Sequence, residues 1–396
     1  MKKVTVVGAG YVGLSIAVLL SQNNEVILTD VDQARVDAIN QSISPIQDKE
    51  ISAFMSRQDF HLPATTNFAA AVKNADFIIL ALPTAYDAST KVYDTSVLDA
   101  AIEEAAAVSP SSLLVVKSTV PTGYTKSIYQ ANKNINIVFS PEFLREGNAL
   151  YDNLHPFRII VGVSNQKSTQ RKQAQQFIDL IVESAVKKDI PSLIMPSTEA
   201  EAVKLFSNAF HAMRLAFFNE LDTYSETKKL NAKNILEGVC MDSRIGQHHN
   251  NPSFGYGYSG LPKGTMQLLA EFEETPGNMV SAVVESNEAR IQHIVSQVLA
   301  RQPQSVDIYR LAANFNIDKM QETAIFKIIQ QLKKHGIDIT IYEPELTPNK
   351  TLLKLPIEYD LEIFKESADL IIANRTTLEI EDAASKIYTR DLYHIG

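Results

Sequence analysis

Cysteine is nearly absent: Cys240 is the only one in 396 residues. No intrachain disulfide can form, and a reducing cytoplasm suits such a chain. Basic blocks are missing as well. The 37 Lys and Arg against 46 Asp and Glu leave a net charge of −9, which speaks against a nucleic-acid surface and otherwise signals solubility. Long apolar runs are missing: one of the longest, Phe77 to Leu82, is far too short to cross a bilayer. Lys3 to Val7 already reads as a strand, so no signal peptide is expected. His248 and His249 are adjacent, which is not ligand spacing on a helix, and no acid or cysteine cluster accompanies them, so no metal is expected. No low-complexity segment occurs.

The chain is 45% apolar, enough for a large core split over two or three domains. Residues 3–7 are followed by Gly8-Ala9-Gly10-Tyr11-Val12-Gly13, an amphipathic helix from Leu14 to Gln22, and a strand from Glu25 to Thr29 that ends at Asp30. This is G-x-G-x-x-G in a strand–turn–helix context, with an acid 20 residues after its second glycine. Gly8 permits a tight turn, Gly10 lets backbone approach a pyrophosphate, and Gly13 lets the helix pack on the sheet. Asp30 would accept hydrogen bonds from both ribose hydroxyls, favouring NAD over NADP.

Further apolar strands span 76–82, 113–119 and 135–139, alternating with helices. That pattern predicts an α/β fold with a parallel sheet covered on both faces, and ligands bind beyond the carboxyl ends of such strands. Thr84, Thr119 and Glu142 lie at those ends, where each is equally readable as a cap or turn residue. Thr198 to Glu201 reads as a capping box opening a long helix to about Lys228. On it Lys204 and Asn208 share a face and interrupt apolar residues, as a functional pair or as a solvent-facing stripe. Gly255, Gly257, Gly260 and Gly264 fall within ten residues, which predicts an irregular loop with a helix beginning near Thr265. A second α/β unit without a glycine fingerprint begins near Ser305.

Several segments together carry a specific resemblance. They are Val7 to Gly13, Lys117 to Gly123, Ser140 to Gly147, Glu201 to Asn208, Phe218 to Leu221, Asn251 to Gly257, Ile341 to Pro344 and Tyr388 to Leu392. Over nearly its full length the chain resembles the UDP-glucose/GDP-mannose dehydrogenase family, in its UDP-glucose 6-dehydrogenase branch. The resemblance implies an NAD-binding Rossmann domain over 1–196, a central helical dimerisation domain over 197–298, and a C-terminal UDP-sugar-binding α/β domain over 299–396. It implies oxidation of UDP-glucose, or a related UDP-hexose, at C6 with NAD in the cytoplasm, by a homodimer joined through the helix 198–228.

The resemblance also assigns roles. Thr119 and Glu142 would serve proton transfer with a water, and Lys204 and Asn208 would stabilise negative charge on the C6 oxygen. Gly8, Gly10, Tyr11, Val12, Gly13, Asp30, Arg35, Thr84, Thr119 and Glu146 would hold NAD. Phe143, Leu144, Lys204, Asn208, Arg244, Asn250, Phe254, Gly255 and Gly257 would hold the nucleotide sugar, Arg244 reaching the other subunit's site.

One side of the pattern departs. Members of the family carry a loop like G-G-x-C-x-P-K-D, and here the cysteine position is Gly260 and the acid position Gly264. Ser259 stands beside it, with no histidine placed to activate it. In the C-terminal domain, a lysine and an arginine position are occupied by Asn314 and Gln321, with Lys319 nearby. The fingerprint and the Lys204/Asn208 pair remain, so ligand binding is expected to survive. Three outcomes follow: the full oxidation, an enzyme stopping at the 6-aldehyde, or a regulatory relative that only binds.

Overall fold

In this computed structural model the described residues are 1–87, 92–165, 167–257, 260–273, 275–311, 323–344 and 355–394. They form two compact units, Met1–Phe206 and Ser207–Gly396.

The first unit is built on β1 (Lys3–Val7), α1 (Tyr11–Ser21), β2 (Glu25–Thr29), β3 (Ala64–Thr65), β4 (Phe77–Leu80) and β5 (Leu113–Val116). It continues with α2 (Tyr124–Ala131), β6 (Ile137–Phe139), β7 (Ile159–Val163) and β8 (Ser192–Pro196). Among the described residues these strands make one eight-stranded sheet in the order β8-β7-β6-β5-β4-β1-β2-β3. Successive side chains of a strand point to opposite faces, and the core divides accordingly. Val4, Val6, Phe77, Ile79, Leu113 and Val115 join one apolar cluster. Val7, Ile78, Leu80, Leu114 and Val116 join another. The expected sheet with both faces covered is therefore present. One pairing departs from parallel: β6 and β7 run antiparallel, with Val138 opposite Val163. The six-residue helix Ala149–Leu154 between them rises only about 9 Å, and the chain does not return to the other end of the sheet.

The helix α3 (Ser197–Thr227) starts in the first unit and continues into the second. The sequence reads Glu201 as a capping-box acid for this helix. Its carboxylate instead accepts the Gly123 N–H at 2.6 Å and the Thr125 N–H at 2.8 Å, holding the first turn of α2. In the second unit follow α4 (Ala232–Cys240), α5 (Gly260–Glu271), α6 (Met279–Leu299), β9 (Ser305–Tyr309), α7 (Ala324–Lys334), β10 (Asp338–Tyr342), β11 (Ile357–Glu358), β12 (Leu370–Ala373) and β13 (Ile387–Thr389). The five strands pair in parallel in the order β11-β10-β9-β12-β13. This is the second α/β sheet expected from sequence.

One sequence expectation fails here. Gly260 and Gly264 were expected in irregular loop, with a helix starting near Thr265; they lie inside α5, which begins at Gly260. Pro262 is tolerated because a first-turn residue needs no intrahelical N–H partner. Each glycine costs the helix roughly 1 kcal/mol, and the two lie against Asn208 of α3, where a side chain would meet the carboxamide.

A buried charge network ties this unit together. Asp222 on α3 is fully buried and accepts from Arg290 Nη2 at 2.6 Å and Arg390 Nε at 2.8 Å. Arg290 also donates to Ser253 O at 2.9 Å and Thr223 Oγ1 at 2.7 Å, so the segment before α5 hangs on the same guanidinium. No helix of the described residues is long and apolar enough to cross a membrane. Asp222→Ala leaves two guanidinium groups without their shared carboxylate. A loss of about 3–5 kcal/mol is expected, read as a lower denaturant midpoint for the second unit's unfolding transition.

Candidate active site

The glycine turn has a shape that only glycine allows. Gly8 has φ +100°, and a Cβ there would lie 2.5 Å from Ala81 O. A Cβ on Gly13 would lie 1.8 Å from Gly8 O, so α1 rests directly on the turn. Gly10 is different: it caps α1 in an extended conformation, and a Cβ would meet nothing within 4 Å. The close contacts at Gly8 and Gly13 set the turn, and the open side at Gly10 faces outward at a helix N-terminus, which favours an anion. At the end of β2, Asp30 Oδ2 accepts the Ala9 N–H at 2.6 Å and Oδ1 accepts the Asp32 N–H at 2.9 Å. Arg35 lies 4.0 Å from Asp30 and 3.5 Å from Asp32. These residues fit an adenosine ribose and a pyrophosphate. Tyr11 and Val12 occupy the first turn of α1, half-buried. Burial, with Glu146 and Asp48 adding negative charge nearby, raises the Tyr11 hydroxyl pKa. Thr84 Oγ1 donates to Thr119 O at 2.7 Å, joining the residues beyond β4 and β5.

Beyond the carboxyl ends of β5 and β6 lies a charge cluster. Glu142 Oε1 accepts the N–H groups of Phe143 at 2.8 Å and Leu144 at 3.2 Å, which fixes the carboxylate plane. Its Oε2 faces Lys117 Nζ at 3.1 Å. Lys204, from the first turns of α3, donates a short hydrogen bond to the Glu142 carbonyl. The Phe143 ring carries the Arg158 guanidinium at 3.7 Å and Lys204 Nζ at 5.5 Å. A cavity opens here, lined by Lys117, Glu142, Phe143, Leu144 and Arg158. Burial pushes the Lys204 pKa down to about 8, against the Glu142 charge and with Lys117 and Arg158 adding to the depression. An ammonium so placed is held ready to meet negative charge.

In the second unit Asn208 is buried and its Nδ2 donates to Gly260 O at 3.2 Å. A Cβ on Gly260 would lie 3.3 Å from that Nδ2; one on Gly264 would lie 2.7 Å from Nδ2 and 3.2 Å from Asn208 Cβ. The two glycines thus form the seat of the carboxamide. Phe254 is fully buried, stacked on Tyr388 at 5.9 Å, and its N–H is taken by Asn374 Oδ1 at 2.9 Å. Its ring belongs to the core, a placement its sequence gives no sign of. Gly255 has φ +145°, and a Cβ would press on Asn287 and Ala324 at 3.0 and 3.1 Å. Gly257 lies half-buried just before α5. Asn250 Nδ2 donates to Cys240 Sγ at 3.4 Å. Arg244 is exposed and paired with Asp242 at 2.5 Å. Ser259, Asn314, Lys319 and Gln321 lie outside the described residues.

Sequence reasoning did not pick out Lys117 or Arg158. Lys117 directly follows β5, so the strand-end rule that flagged Thr119 reaches it equally. Arg158 precedes an antiparallel strand and carries no signal of its own.

Two predictions follow from these contacts. Gly264→Ala drives a methyl into Asn208 and is expected to cost about 1–3 kcal/mol. Adding Asn208→Ala should recover part of that loss, measured as non-additive shifts in thermal midpoint. The second concerns Lys204. Its folded pKa of about 8 lies below the unfolded value of 10.5, so between these the unfolded chain binds more protons and stability rises with pH. The penalty is full below about pH 8. Lys204→Met should remove it, so wild type minus variant midpoints should converge as pH rises from 8 to 10.

Comparison with known proteins agrees with this geometry. Residues 2–178 match the NAD binding domain of the UDP-glucose/GDP-mannose dehydrogenase family, and residues 198–289 match its central domain. The chain is 43% identical over 391 residues to the UDP-glucose 6-dehydrogenase of Streptococcus pneumoniae, covering 99% of each chain. It is 42% identical over 396 residues to that of Campylobacter jejuni, again covering 99% of each. A solved UDP-glucose dehydrogenase from Pyrobaculum islandicum superposes with a TM-score of 0.82 at 25% identity, over 94% of this chain and 90% of the other. The chain belongs to the UDP-glucose/GDP-mannose dehydrogenase family of NAD-dependent oxidoreductases.

Proposed function

We propose that this protein oxidises UDP-glucose at C6 to UDP-glucuronate. The observation that carries the reading is the Lys117–Glu142–Lys204 cluster beyond the sheet's carboxyl ends, on a chain 43% identical along its whole length to a UDP-glucose 6-dehydrogenase. When bound, NAD supplies the hydride acceptor. The chain's residues do the remaining work. Gly8, Gly10 and Gly13 hold the pyrophosphate, Asp30 the ribose, with Tyr11, Val12, Arg35, Thr84, Thr119 and Glu146 around them. Glu142, helped by Thr119, takes the proton from the C6 hydroxyl. Lys204 neutralises charge developing on the C6 oxygen, which needs its protonated form. Asn208 adds a carboxamide; its Nδ2 has two hydrogens, and Gly260 O takes one. Phe143 and Leu144 are assigned to the sugar, together with Arg244, Asn250, Gly255 and Gly257, while Phe254, its ring in the core, acts by fixing the backbone next to Gly255.

Purified protein with UDP-glucose and excess NAD should form two NADH per sugar. Lys204→Met should lower kcat about 100- to 1,000-fold, and the wild-type rate should lose its Lys204-dependent part as pH rises through about 8. An unchanged rate in Lys204→Met would remove lysine from this role.

We also assign a homodimer to α3, within the three-part division at 196/197 and 298/299. Phe210, Phe217 and Tyr224 are exposed and recur every seven residues, a stripe suited to a second helix. Phe217→Glu should shift the mass measured by light scattering from dimer to monomer; a wild-type monomer would overturn the assignment. The single cysteine supports the cytoplasm as the compartment.

A further inference from the structure

We propose that the second oxidation in this protein uses water as its nucleophile: the C6 aldehyde is hydrated beside Glu142 and oxidised as its hydrate, with no covalent enzyme adduct. The inference rests on the reading of the protein as a UDP-glucose C6 dehydrogenase. An aldehyde carbon has no hydride to lose as a stable acyl product until it becomes tetrahedral, so something must first add to it. The candidates are a thiol, an amine, a hydroxyl or water.

The thiol is excluded by burial. Cys240 is the chain's one cysteine. It is buried in a cluster with Phe218 and Leu236 on α4, and its sulfur accepts from Asn250. At Gly260 the first turn of α5 presents backbone to Asn208, with no side chain at all. An amine adduct from Lys204 would be oxidised to an amide, which does not turn over. A hydroxyl needs a base to activate it, and the sequence places no histidine to serve Ser259. Water remains, and Glu142 is built to use it. Two backbone N–H groups hold Oε1, so the carboxylate cannot swing. Oε2 is enclosed and takes no hydrogen bond, with Lys117 beside it as a counter-charge. A buried carboxylate oxygen with spare lone pairs is an acceptor for one water proton.

The chemistry balances. The C6 alcohol loses a hydride to one oxidised nicotinamide dinucleotide and a proton to Glu142, giving the aldehyde. Glu142 passes that proton to solvent. Water then adds to the carbonyl carbon: its oxygen forms the new C–O bond as the C=O π bond breaks, Glu142 takes one water proton, and Lys204 gives one to the carbonyl oxygen and is reprotonated at the expense of the Glu142 proton. The hydrate then loses a hydride to a second oxidised dinucleotide and its remaining hydroxyl protons to solvent, leaving the carboxylate. Two NADH form per sugar and one water is consumed.

The test uses the full-length protein with UDP-glucose and NAD. Cys240→Ala and Ser259→Ala should each keep two NADH per sugar, and Cys240→Val serves as a second packing variant if alanine lowers stability. Acid-quenched protein taken during turnover should show an unmodified intact mass. Glu142→Gln should slow both oxidations, the second by about a further 100-fold because the base acts there on the water as well, so that hydroxylamine captures the aldehyde as an oxime and NADH falls towards one per sugar. A sugar adduct in the intact mass, or a fall to one NADH in Cys240→Ala and Cys240→Val or in Ser259→Ala, overturns the water mechanism while the dehydrogenase reading stands. One NADH from the wild type also overturns it, leaving an alcohol oxidation. No NADH at all removes the parent reading and this one together.

Discussion

The charge cluster of the first unit is arranged around Glu142. One carboxylate is pinned by two backbone N–H groups and set against Lys117, while its carbonyl holds Lys204 and its neighbour Phe143 carries Arg158. Three cations around one anion make an electropositive pocket in a partly enclosed place. Such an excess is costly to bury unless something negative arrives. Burial first, then the neighbouring cations, depress the Lys204 pKa. In the proposed reaction an oxyanion forming at the C6 oxygen would relieve that cost, so that stability given up at rest would be recovered in the transition state.

The second unit shows how a missing side chain becomes structure. Glycine at 260 and 264 does not leave a gap: helix α5 closes on Asn208, and the carboxamide takes the space and the Gly260 carbonyl. The Asp222–Arg290–Arg390 network holds the same unit further along α3, with Arg290 reaching the Ser253 carbonyl. The glycine-rich stretch is therefore held at both its ends by polar side chains, and its latter part is helical.

Much of this was legible beforehand. The alternation of apolar strands with helices fixed both sheets, and the glycine spacing located the dinucleotide turn, because each rests on local sterics and short-range periodicity. Glu142 and Thr119 were reachable through the strand-end rule, Lys204 and Asn208 through helical spacing. Other features are set by contacts distant in sequence. Glu201 caps a helix some 76 residues away. Arg158 covers Phe143, and Phe254 is committed to a core shared with Tyr388. The start of α5 at Gly260 was misread because glycine's helix cost is a local quantity, whereas the contact with Asn208 spans 52 residues.

The sequence alone determined the order of elements, the NAD turn and the presence of a single thiol, since composition and local pattern carry these. Only the tertiary structure decided that this thiol is buried against Phe218 and Leu236, that Lys204 is a buried cation with other cations beside it, and that Gly264 has no room for a side chain. Each of those is a matter of which distant groups meet and how much water they exclude, and that is settled by packing.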